Sequence, residues 1–134
     1  MKKIIIFIGT LAFISCSKDD PKEPEGNLYG KWNYSKIEVN GTLFPYDDHE
    51  TCGKDYIEFF DTDKIKSVDI FGCQPEIEWI GSFSKTNSNL VITREGETVN
   101  CTILTLTSNT LVYDFDVDVD GNGSIDHCIQ TFDK

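Results

Sequence analysis

The stretch Leu111-Val112-Tyr113-Asp114-Phe115-Asp116-Val117-Asp118 alternates without a break, apolar side chains at the odd positions and acidic ones at most even positions. Successive side chains of an extended strand point to opposite faces, so a period of two predicts a strand with one buried and one wet face. The same reading repeats outward. Glu76-Ile77-Glu78-Trp79 alternates strictly, with Ile77 and Trp79 inward, and further strands are predicted at 31–39, 55–60, 64–71, 90–94, 98–107 and 125–132. Turn signals separate them: Asn40-Gly41, Asp61-Thr62-Asp63, Gly72 to Pro75, Ser84 to Asn89, Glu95-Gly96, Ser108-Asn109 and Gly121-Asn122-Gly123. No segment carries a 3.6-residue apolar period of helix length. The expectation is an all-β domain of about eight antiparallel strands, as an up-and-down barrel, because closure removes strand edges that would template aggregation. A two-sheet sandwich is the other arrangement this pattern permits.

The N-terminus reads differently. Lys2 and Lys3 precede the apolar run Ile4 to Ile14, the length of a signal h-region and too short to span a bilayer. Phe13-Ile14-Ser15-Cys16 resembles the lipobox of bacterial lipoproteins, with Phe13 where leucine is usual, which implies cleavage after residue 15 and lipidation of Cys16. Several acyl chains on one residue hold a protein to a bilayer far better than one, so Cys16 becomes the junction between lipid and water. Residues 17–27 hold no large apolar side chain and are rich in charge, proline and glycine, the composition of a solvated tether. Their acidic residues also resemble a surface-export signal of bacterial lipoproteins. The expected organisation is a signal peptide at 1–15, a lipidated cysteine and tether at 16–27, and one domain at 28–134, exported and anchored in the outer membrane.

Without Lys2 and Lys3 the net charge passes from −11 to −13. That sign excludes nucleic acid and charge-driven adhesion to anionic lipid, both of which need a basic patch. It suits a cation or a basic protein partner, and small lipoprotein barrels that inhibit lysozyme offer an analogy.

With Cys16 assigned to lipid, Cys52, Cys73, Cys101 and Cys128 remain, an even number in an exported chain, which reads as two disulfides. A turn at Asp61-Thr62-Asp63-Lys64 sets Ile57 opposite Val68, and the same register sets Cys52 opposite Cys73 within bridging distance. Cys101 and Cys128 are then left to each other. In a meander the strand at 110–117 lies between them and holds them about 10 Å apart, so a bend is needed or both stay reduced.

Leu28-Tyr29-Gly30-Lys31-Trp32, followed by Ile37 and Asn40-Gly41, resembles the opening of the lipocalin-like lipoproteins of the Bacteroidota, Leu-x-Gly-x-Trp and then a strand and turn. Cys52 with Tyr56-Ile57-Glu58-Phe59, Gly81-Ser82-Phe83, and Ile103 to Leu106 leading to Thr110-Leu111-Val112 are similar to later pieces of that pattern. Two departures stand out. Phe83 occupies a position where tryptophan is commoner, and the last strand lacks the arginine that covers the first-strand tryptophan in lipocalins, the only arginine being Arg94. The resemblance implies a calyx lined by Trp32, Ile57, Phe59, Ile77, Trp79, Phe83, Leu111, Tyr113 and Phe115, which either fill it or leave room for one small apolar ligand.

Asp118-Val119-Asp120-Gly121-Asn122-Gly123-Ser124-Ile125-Asp126 follows the first nine positions of a calcium loop, making Asp118, Asp120, Asn122 and Asp126 candidate ligands. The bidentate glutamate of the twelfth position is absent, Ile129 standing there. Zinc is not expected, since no Cys-x-x-Cys or Cys/His spacing occurs. Nor is catalysis: His49 and His127 adjoin no nucleophile motif, and no phosphate loop is present. The sequence thus leaves two non-enzymatic functions, a carrier of a small apolar ligand and a protein-interaction module.

Overall fold

A computed structural model describes residues 26–47 and 49–134; the signal segment, Cys16 and most of the tether lie outside the described residues. Nine strands follow in order: β1 Gly30–Val39, β2 Thr42–Pro45, β3 Tyr56–Phe60, β4 Lys64–Phe71, β5 Gln74–Thr86, β6 Asn89–Arg94, β7 Glu97–Leu106, β8 Thr110–Val117 and β9 Asp126–Asp133. β1 pairs antiparallel with both β2 and β3, each strand from β3 onward pairs antiparallel with the next, and β9 returns to pair with β1, closing an eight-stranded barrel with β2 as an extra piece. The described residues contain no helix, and therefore none long and apolar enough to cross a membrane.

Tight hairpins carry the meander. Asn40-Gly41 and Glu95-Gly96 both hold positive φ at two successive residues, the geometry whose twist matches paired strands and which Asn-Gly and similar pairs adopt at little cost. β2 was not anticipated from the sequence, and its place is instructive. It pairs with the second half of β1, while β3 pairs with the first half on the same side. Tyr46 N–H donates to the Ser35 carbonyl and Tyr34 N–H to the Asp55 carbonyl, so the ladder continues from both pieces. β2 and β3 are thus one barrel strand interrupted by an excursion at 47–54.

The disulfide Cys52–Cys73 ties this excursion to the β4–β5 turn, with Cα atoms 5.7 Å apart. The pairing agrees with the sequence reading, but the ladder argument behind it does not. Ile57 lies opposite Ser67, one residue from the expected register, and neither cysteine belongs to a strand. Cys101 and Cys128 are free and buried, which corrects the second predicted bridge. Both oppose Phe115, one from each side, so a whole strand separates them and no bend closes the gap.

One end of the barrel is packed solid. Leu28, Trp32, Phe59, Phe83, Leu90, Leu106, Leu111 and Phe132 are buried there, Phe59 and Phe83 meeting edge to face at 4.9 Å. Trp32 is fully buried, and its indole N–H donates to the Leu28 carbonyl at 2.7 Å, satisfying its one polar group. The covering cation that the last strand lacked is supplied one residue beyond it: Lys134 Nζ stands 4.2 Å from the Trp32 ring centroid.

Candidate functional site

The opposite end is open. It is formed by the ends of β6 and β8, the starts of β5, β7 and β9, and the excursion between β2 and β3. Inside it lies a cavity of about 250 Å³ lined by Tyr34, Ile57, Ile65, Trp79, Ile92, Arg94, Val99, Cys101, Tyr113, Phe115, Val117 and Gln130. Of the predicted lining, Ile57, Trp79, Tyr113 and Phe115 face this space. Trp32, Phe59, Phe83 and Leu111 instead fill the closed end.

Ile77 does neither; it is 57% exposed. The β4–β5 register shifts between Ser67 and Val68, which oppose Trp79 and Ile77, leaving Glu78 as an extra residue. Such a bulge breaks the period of two, so Ile77 is turned out while Trp79 stays in. Glu78 is exposed, as alternation places it, yet its carboxylate reaches the wall: Ser67 Oγ donates to Glu78 Oε2 at 2.8 Å, and Tyr34 Oη lies 3.3 Å from the same Ser67 Oγ. Arg94 was missed as a lining residue; it is exposed, but it lies in phase with the buried Leu90 and Ile92 on β6.

Polar groups gather where the excursion rejoins the barrel. Tyr46 stacks on Tyr34 at 4.8 Å between centroids and donates its hydroxyl to Asp55 Oδ2 at 2.7 Å. The other oxygen of the buried Asp55 accepts the Ile70 N–H at 2.7 Å. Asp69 has its carboxyl held above the usual range by desolvation and then by the neighbouring Asp55 carboxyl. Burial likewise raises the phenols of Tyr34 and Tyr113, and the positive charge of Arg94 opposes both shifts, so that charge is felt inside the cavity. The Cys101 thiol is pushed up to about 12 by burial and then by Asp114, which makes it a poor nucleophile.

A second opening lies in the wall. The β7–β8 ladder ends at Cys101↔Phe115, yet β7 begins at Glu97 and β8 runs to Val117. The strand ends diverge around a cleft of about 700 Å³ lined by residues including Val99, Asn100, Phe115, Asp116, Val117 and His127. It shares Val99, Phe115 and Val117 with the inner cavity, so the two are contiguous. On its outer rim His127 Nδ1 lies 2.9 Å from Asp116 Oδ1, a contact that raises the imidazole above its ordinary range.

The predicted calcium ligands lie in the loop between β8 and β9 at this same end. Carboxylate oxygens of Asp118, Asp120 and Asp126 approach within 4.8 Å of one another. The loop also satisfies itself: Asp118 accepts the backbone N–H groups of Asn122 and Gly123, Asp126 that of Val119, and Asn122 Oδ1 that of Ser124. Ile129 sits within β9 opposite Asp114, so no residue closes the cage from the twelfth position.

The family described as a lipocalin-like domain matches residues 28–113 of this chain. No curated protein matches the sequence. Among solved structures, a bovine odorant binding protein, a deswapped triple mutant, is 16% identical, with 80% of this chain and 73% of that one covered and a TM-score of 0.49. A dog lipocalin allergen is 15% identical, with 81% and 74% covered and a TM-score of 0.47.

Proposed function

This chain belongs to the lipocalin-like domain family, and from that premise we propose that it is a non-enzymatic binding module, taking one small and largely apolar ligand into the open end of its barrel. The observation that carries this reading is the 250 Å³ cavity, apolar over most of its lining and continuous with a side cleft. Barrels of eight strands either fill their interior or keep room for one small guest. This one does the first at the Trp32 end and the second at the Trp79 end.

In the same proposal the protein is an exported lipoprotein, held through Cys16 in the outer membrane and displayed at the cell surface. The described chain enters at the closed end, where Gly26 abuts Leu106 and Leu28 caps Trp32. Protease added to intact cells tests display, and palmitate labelling lost in Cys16→Ala tests the anchor. Native mass spectrometry of the purified protein tests the carrier role. Extra mass that disappears on denaturation supports it. A bare mass, with no uptake on challenge with apolar compounds, overturns it in favour of an outer-surface interaction with a basic protein partner.

A further inference from the structure

Arg94 is the only arginine of a chain with 23 acidic residues, yet among the described residues no carboxylate forms an ion pair with it. Arg94 ends β6 as an exposed residue that still lines the cavity, its guanidinium over the Trp79 ring, 5.1 Å from the centroid. A ring occupies one face of the plane and leaves the edge, with its fork of N–H donors, unused. Glu78 is engaged by Ser67, and Asp55 by Tyr46 and Ile70.

Tyr113 supplies an independent sign. It is 8% exposed and lines the cavity, and its hydroxyl makes no hydrogen bond among the described residues. No enclosed side-chain oxygen or nitrogen of the described residues lacks a partner, so this hydroxyl keeps its accessible surface toward the cavity. Open to the cavity and bonded to no described residue, it can donate to whatever fills the space.

We infer that the ligand is a small acid, whose carboxylate meets Arg94 and the Tyr113 hydroxyl and whose apolar body lies against Ile57, Ile65, Ile92 and Phe115. This rests on the carrier reading above and gives it a ligand class. A carboxylate suits a guanidinium edge, which offers two parallel N–H donors. At protein packing density the 250 Å³ cavity holds a body of about a dozen non-hydrogen atoms, the size of a ten-carbon acid.

The test titrates the purified protein with decanoate, decanol and decylamine, molecules of one length and three head groups. Trp79 fluorescence follows the cavity against the constant signal of Trp32, and calorimetry checks it. Decanoate is expected to bind at least tenfold more tightly than decanol, with decylamine weakest. Arg94→Gln brings decanoate to the level of decanol, abolishing the preference for the acid, and its urea unfolding transition reports that the variant is folded. Tyr113→Phe lowers the ratio of decanoate to decanol affinity severalfold. Equal binding of decanoate and decanol, or decanoate binding that survives Arg94→Gln, overturns the acid while leaving the carrier reading intact. Binding of none of the three overturns both.

Discussion

Replacing Cys52 and Cys73 together by serine is the perturbation whose magnitude follows most directly from this fold. Both cysteines are exposed, so the change opens no cavity, and the native excursion keeps its other holds, the Asp55 bonds and the Gly72 N–H to Glu50 at 3.0 Å. The effect must then come mainly from the unfolded chain, which regains the freedom of a loop spanning 21 positions. In the chain-entropy model that costs the folded state about 3 kcal/mol. For a domain of this size it lowers Tm by roughly 12–25 °C. Urea unfolding followed by tryptophan fluorescence reads the loss directly, and the slope should rise because the uncrosslinked chain exposes more surface. A loss below about 1 kcal/mol with an unchanged slope would refute the reasoning, since the bridge would then be restraining nothing that unfolding releases. The substitution also loosens the segment presenting Tyr46 to Tyr34, so a modest fall in ligand affinity should accompany it.

Asp69 has a folded-state carboxyl above its ordinary value, so its contribution is favourable when protonated and is lost as pH rises through that raised value. Asp69→Asn should therefore raise Tm near neutrality, with the difference from wild type vanishing in acid; an unchanged or lower neutral Tm counts against a strained Asp55–Asp69 pair. Lys134→Met removes the cation over Trp32 and should cost about 0.5–1 kcal/mol in urea unfolding, while Lys134→Arg restores it. Calcium at the Asp118–Asp126 loop is a proposal resting on three converging carboxylates. Millimolar calcium should raise Tm in wild type but not in Asp118→Asn, and an unmoved wild-type Tm sinks it.

Alternation made most strands legible, because each buries one face and wets the other over five residues or more. It also placed Ile57, Trp79, Tyr113 and Phe115 inward. It failed at Ile77, where one inserted residue reverses the faces and no local composition marks the insertion. It missed β2 because a strand with all four residues exposed has no buried face to announce it.

From its sequence alone this protein was determined to be all-β, with short strands joined by tight turns, because period and turn residues act over short separations; the Cys52–Cys73 pairing was also read there, but on a register the structure shifts by one residue. Only the tertiary structure decided which end of the barrel is full and which is open. That choice depends on strands distant in sequence: Trp32 with Lys134 at one end, Arg94 over Trp79 and beside Tyr113 at the other. Whether two inward side chains fill a space or border it is set by the volumes that closure brings together, and no single strand carries that sum.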